Sequence, residues 1–194
     1  MPPEKVKLKV GKKKIQKIKT LLQDSYTDDK VLPKGIVKDR SLSGKRVSVY
    51  LDSNRDKVYV AHRGTYSAKD WLTDFAMAFG YEGGRRFRHS NKIQQKTEKK
   101  YGSGKVVTIG HSLGGRLAEK VGRNSSEIIT YNKAATPRSI AETLIRPITG
   151  KQNDLRTPLD LVSIGAKVQR RSNDIVKITP KSSGPISQHG LDEL

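Results

Sequence analysis

The sequence predicts an α/β fold: a mostly parallel central sheet, helices on both faces, and an antiparallel hairpin at one side. Three observations carry this reading. Short β-rich runs alternate with stretches of helical periodicity along most of the chain. Two of those runs, 46–51 (RVSVYL) and 57–62 (KVYVAH), flank Asp52-Ser-Asn-Arg-Asp56, whose turn chemistry suits a hairpin. A third run, 105–110, passes almost directly into a helical pattern at 113–121, the junction expected of a buried parallel strand.

The elements follow in order. Val6, Leu8 and Val10 alternate with lysines, which suits a short edge strand. Ile15, Ile18 and Leu22 then take helical spacing, so residues 12–23 read as an amphipathic helix. Its lysines either lie on a phosphate-rich surface or cap the domain as a solvated face, and the second is preferred. Residues 1–23, with eight lysines against Glu4 alone, are set apart as a basic arm, and 24–194 as one domain. Residues 24–45 are polar, carry Pro33, Gly35 and Gly44, and read as a connection. After the hairpin, Trp71, Leu72, Phe75, Ala76 and Phe79 mark a helix over 68–79, broken by Gly80, Gly83 and Gly84. A charged helix over 89–101 ends at Gly102. Strands are expected at 127–131 (EIITY) and 160–164 (DLVSI), with a shorter one at 174–178 (DIVKI).

Composition narrows the function classes. The chain of 194 residues is 34% hydrophobic and 30% charged, enough for one modest core. It has no cysteine, which excludes disulfides and thiolate metal sites. No apolar run reaches the length of a transmembrane helix, and the basic N-terminus develops no apolar signal-peptide core. A cytoplasmic or particle-associated protein is expected. Lysine and arginine outnumber the acids 39 to 19, a formal charge of +20. Such an excess fits an anionic surface: membrane lipid, or phosphate-driven nucleic-acid contact without base readout.

The chemistry centres on Gly110-His-Ser-Leu-Gly114, a G-x-S-x-G pattern. Val106, Val107 and Ile109 enter it, and Leu113, Leu117, Ala118 and Val121 leave on one helical face. In such an elbow the serine sits in a strained conformation, and the glycines let strand and helix approach. The helix N-terminus then points free N–H groups at the space above Ser112, where an oxyanion would be stabilised. A serine nucleophile needs a base and an orienting carboxylate. His111 neighbours Ser112 and should point away. His62 ends a strand and His89 opens a helix. His189 follows every expected strand and fits the Ser–acid–His chain order. Asp160 is the favoured acid although it precedes an apolar run; Asp174 and Asp154 are its rivals.

Further motifs add a resemblance. Ala61-His-Arg-Gly-Thr65, Asp70-Trp-Leu-Thr-Asp74 and Gly110-His-Ser-Leu-Gly-Gly115 resemble motifs of the class 3, fungal-lipase-like group of α/β-hydrolases. Tyr131 to Pro137 resembles the strand and proline turn after its elbow helix, Asp160-Leu-Val162 its D-x-V, and His189 its late histidine. The resemblance spans roughly residues 46–192. It implies hydrolysis of lipid esters with Ser112 as nucleophile, His189 as base and then acid, and Asp160 as orienter. It also implies oxyanion-hole N–H groups from Thr65 and Leu113, and no metal or cofactor. The chain departs from secreted members, which are larger, secreted through a signal peptide and disulfide-bonded. Arg116 stands where a small residue is usual. Residues 80–88 (GYEGGRRFR), at the lid position, are arginine-rich, and a small basic mouth would suit an anionic phospholipid better than a triglyceride. The compact basic form more loosely resembles lipase-like proteins of DNA viruses. The alternative to an enzyme is a virion or nucleic-acid-associated protein on the same scaffold.

Overall fold

The computed structural model describes residues 10–64, 84–134, 152–157, 175–179, 181, 183 and 190–193. Three helices are described: α1 (Lys12–Thr27), α2 (Arg85–Tyr101) and α3 (Leu113–Val121). Seven strands form one sheet: β1 (Ile36–Lys38), β2 (Val47–Asp52), β3 (Lys57–His62), β4 (Val106–His111), β5 (Glu127–Tyr131), β6 (Gln152–Arg156) and β7 (Ile175–Lys177). They lie side by side in sequence order. The first three pair antiparallel, and β3 through β7 pair parallel. The expected hairpin is β2–β3, with Val47 opposite His62.

Side chains alternate between the two faces, and each face meets helices. α1 lays Ile18, Leu21 and Leu22 on Tyr59, Ala61, Val107, Ile109, Ile129 and Leu155. Burying each such aliphatic side chain is worth about 1.5–3 kcal/mol. The expected boundary between arm and domain, at residue 23, falls inside this helix. Its lysines are also more engaged than a solvated face implies: Lys14 pairs with Glu127 and Lys17 with Asp52, each at 2.5 Å. Residues 1–9, with Val6 and Leu8, lie outside the described residues, whereas Val10 is buried in this cluster.

The opposite face is covered by α2 and α3, which follow the parallel strands. α2 starts at Arg85, one turn earlier than expected, so 85–88 of the arginine-rich segment are helix. It fully buries Ser90, Gln94 and Thr97, and packs Ile93 and Tyr101 against a second apolar cluster of Val47, Val49, Val58, Val60 and Val106. Two other expectations are corrected. Residues 24–45 are not all connection, because α1 continues to Thr27 and β1 adds an edge strand, too short to show alternation. β6 (QNDLR) was not expected: its core-facing Asp154 and Arg156 are charged, so hydrophobic patterning misses it. The strand expected at 174–178 appears as β7. The helix at 68–79 and the strand at 160–164 lie outside the described residues.

Candidate active site at the β4–α3 elbow

Ser112 stands between the end of β4 and the first turn of α3 with φ 56° and ψ −127°. A side-chain-bearing residue held there is strained by about 1–3 kcal/mol, and its surroundings must over-determine it. They do so through the backbone. The Ser112 N–H donates to the Tyr131 carbonyl at 3.1 Å. Its own carbonyl accepts from the N–H groups of Gly115 (3.0 Å), Ala134 (3.1 Å) and Arg116 (3.3 Å). A Cβ on Gly110 would run into the Gly114 carbonyl, and one on Gly114 into that of His62. These contacts give the physical reason for glycine at both positions. Leu113 is the first residue of α3, so its N–H has no acceptor within the helix and faces the site with the positive end of the helix dipole.

The chain leaving β3 passes directly beside the serine. A Cβ on Gly64 would lie 3.1 Å from that of Ser112. Two side chains hold this segment. Arg86 of α2 donates to the carbonyls of Arg63 and Gly64, the latter at 2.8 Å. The Gly64 N–H donates to Tyr26 Oη on α1 at 2.8 Å. That oxygen also lies within hydrogen-bond reach of His111 Nδ1, at 3.1 Å. Burial pushes the Tyr26 hydroxyl up to about 12, against the Gly64 hydrogen bond and the charges of Arg86 and Arg63. It therefore keeps its proton and can serve both partners. The His111 ring stacks on Tyr131, with centroids 5.6 Å apart.

Neither Tyr26 nor Arg86 stood out in the sequence. One signal was present for Tyr26: the Ile18–Leu22 spacing, carried one turn further, reaches it. Arg86 sat in the segment assigned to a lid, and its role as a clamp on two carbonyls carries no local pattern.

The structure sorts the other candidates. His62 is fully buried, with Nε2 3.2 Å from the Gln94 amide oxygen. Burial, and then the nearby positive charge, pulls its pKa down to about 4 against that hydrogen bond. It is a neutral core group. Asp154 is completely buried on β6, taken up by Thr130, Gln152, Lys133 and Arg156. Desolvation pushes its carboxyl up, but the Lys133 and Arg156 charges outweigh it and hold the group well below the usual range. It is spent in ion pairing and is removed as a triad acid. Arg116 belongs to the same network. Its Nη1 lies 2.6 Å from Glu119, which pairs with Lys133 at 2.8 Å.

Thr65, Asp160, Asp174 and His189 lie outside the described residues, whereas Gly64, Thr157, Ile175 and Gly190 near them are described. Asp160 comes three residues after Thr157, which follows β6 and whose N–H donates to Asn132 Oδ1 at 3.0 Å. The missing strand before Asp160 is thus β6. Gly190, next to His189, accepts at its carbonyl from Tyr131 Oη at 3.2 Å. Ile175, next to Asp174, opens β7 in register with Asp154, Thr130 and Gly110, so that Asp174 precedes the start of its strand. Among the described residues no group of three His, Cys, Asp or Glu side chains could hold a metal, and no helix is long and apolar enough to cross a membrane.

Comparison with known proteins agrees with this geometry. The family model of the Tle-like phospholipase domain matches residues 18–157. No curated protein sequence matches. Among solved structures, the Lip2 lipase of Yarrowia lipolytica is 16% identical with a TM-score of 0.55, over 90% of this chain and 81% of the lipase. A triacylglycerol lipase described as having a serine protease triad as its catalytic centre is 16% identical with a TM-score of 0.59, over 86% and 80%. An MDLA mutant from Penicillium cyclopium is 15% identical with a TM-score of 0.56, over 92% and 86%. The fold is that of the α/β-hydrolase lipases. Neither the family match nor these neighbours point to nucleic-acid or virion contacts. With most of its length matched by one family model, the chain belongs to the Tle-like phospholipase domain family.

Proposed function

We propose that the protein hydrolyses the carboxylic ester of a phospholipid through a triad of Ser112, His189 and Asp160. The observation that carries this is the elbow itself: a serine at φ 56°, fixed by four backbone hydrogen bonds at the head of α3. In the proposed reaction Ser112 Oγ attacks the acyl carbonyl while His189 takes its proton. The Leu113 and Thr65 N–H groups hold the tetrahedral oxyanion. Collapse expels the alcohol, protonated by His189, and leaves an acyl-serine. Water, deprotonated by His189, attacks the ester, and the fatty acid leaves as the proton returns to Ser112.

Topology supports Asp160 over Asp174. The parallel strands end together on the Ser112 side, and Asp160 follows the end of β6, whereas Asp174 precedes the start of β7. Tyr131 supports His189, because its ring stacks beside the elbow and its hydroxyl holds Gly190. Phospholipid turnover by the native protein, Ser112→Ala, His189→Ala, Asp160→Asn and Asp174→Asn tests the scheme. The first three substitutions should abolish or nearly abolish turnover, and Asp174→Asn should leave most of it. Loss on Asp174→Asn with retention on Asp160→Asn would reassign the acid. Undiminished turnover by Ser112→Ala would refute the mechanism.

A further inference from the structure

Beside Tyr26 lies a cavity of about 350 Å³, between the C-terminal turn of α1 and the strands β1 and β2. Among the described residues its walls carry Lys38, Arg40, Lys45 and Arg63 with the carboxylate of Asp28. Among the described residues no aliphatic side chain lines it, and Tyr26 supplies the aromatic surface. A cavity with these cationic walls suits a compact anion.

The local charge is not exhausted by internal pairing. Lys38 lies between Asp24 at 3.0 Å, behind the wall, and Asp28 at 2.6 Å. Arg40 reaches Asp28 only at 3.4 Å and keeps 78% of its side chain exposed. Lys45 is exposed and pairs with no carboxylate among the described residues. Among the described residues Lys38, Arg40 and Lys45, three cations, face two carboxylates, Asp24 and Asp28.

Position gives the cavity its meaning. Tyr26 and Arg63 form the wall it shares with the elbow. Arg63 is the neighbour of Gly64, whose Cβ position would lie 2.7 Å from Tyr26 Oη and 3.1 Å from Ser112 Cβ. One glycine's width separates the wall from the nucleophile. A glycerophospholipid carries its phosphate and its acyl esters on one glycerol. We propose that this cavity takes the headgroup phosphate of a glycerophospholipid while an ester of the same glycerol reaches Ser112. Arg40 and Lys45 supply charge-assisted hydrogen bonds at the mouth, and the arginine fork matches two phosphate oxygens. The inference rests on Ser112 being the nucleophile, and it deepens that reading by naming where the polar end of the substrate sits.

The test compares phosphatidylglycerol with diacylglycerol of the same acyl chains in nonionic-detergent micelles. Arg40→Ala/Lys45→Ala should lower the kcat/KM ratio of the anionic to the neutral lipid by about tenfold. Lys96→Ala/Lys99→Ala, which removes the same charge from the exposed side of α2, should leave that ratio unchanged. An equal fall in both variants would mean overall charge steering and would overturn the site. A second arm titrates the native protein with glycerol 3-phosphate and with inorganic phosphate by calorimetry. Glycerol 3-phosphate binding that is lost in Arg40→Ala/Lys45→Ala supports the headgroup assignment. Binding of inorganic phosphate with an unchanged lipid ratio would assign the cavity to a free phosphate and overturn it. Binding of neither, with an unchanged ratio, would overturn the site altogether. Absence of any ester turnover by the native protein would sink the hydrolase reading instead, and the calorimetric arm would still decide the cavity.

Discussion

On the face of the sheet that α1 covers, Ile109, Ile129 and Leu155 meet Ile18, Leu21 and Leu22. On the opposite face Thr108, Thr130 and Asp154 meet Gln94, Ser125 and Lys133. The first face is stabilised by area removed from water, which is undirected and tolerant of exchange between similar volumes. The second has its own valine cluster on β2–β4, but around the elbow it adds satisfied hydrogen bonds and paired charges, whose net worth is small but whose geometry is fixed. The elbow lies between the two. His111 turns to the apolar face, while Gly110 and Gly114 press together on the polar one. The strained serine is thus held by a face that resists sliding and a face that supplies cohesion.

The largest break in this comparison should come from Lys133. Lys133→Met leaves Asp154 and Glu119 buried without their shared cation, which should destabilise the fold by about 3–5 kcal/mol in urea unfolding. Adding Asp154→Asn should recover part of the loss. Strictly additive losses would show that the pair is not coupled.

Acid should act on the polar face next. His62 has a folded-state pKa of about 4, below its unfolded value near 6.5, so the unfolded chain binds the proton first. The stability it contributes is complete above pH 6.5 and is lost as pH falls toward 4, by roughly 3 kcal/mol at most. His62→Gln should flatten the urea midpoint over that window. An unchanged acid limb would mean that His62 is not the group responsible.

A matched pair of substitutions probes the two faces at similar volume. Leu21→Met should cost less than about 1.5 kcal/mol. Gln94→Met strips hydrogen bonds from His62, Thr108 and Ser125 and should cost about 1–3 kcal/mol. Equal costs would erase the distinction. The smallest effect on stability, about 1 kcal/mol, is expected of Tyr26→Phe, which keeps the ring and removes one oxygen. Its signature should be catalytic: kcat down by about tenfold with KM little changed, because Gly64 and the proposed oxyanion segment lose their anchor. A loss confined to KM would place Tyr26 in substrate binding instead.

This contrast also explains what could be read from the sequence. The hairpin, β4, α3 and β5 advertise themselves through aliphatic runs at period two or 3.6, and the elbow through two glycines at fixed offsets. β6 hides because Asp154 and Arg156 occupy core positions, and an ion-pair network replaces the hydrophobic pattern. Its absence from the pattern made Asp160 look misplaced, before a strand instead of after one. Arg116 looked like a family oddity and proves to be a member of that network. Tyr26 and Arg86 come from helices distant in sequence, and they meet at Gly64 only through tertiary packing.

The central claim is that Ser112 is an activated nucleophile. Reaction of the native protein with a fluorophosphonate, followed by intact-mass and peptide mass spectrometry, tests it most directly. The account predicts one adduct, on the peptide carrying Gly110-His-Ser-Leu-Gly114, that is absent in Ser112→Ala and abolished in His189→Ala. Equal labelling of native and Ser112→Ala protein, or no labelling of the folded native chain, would contradict it.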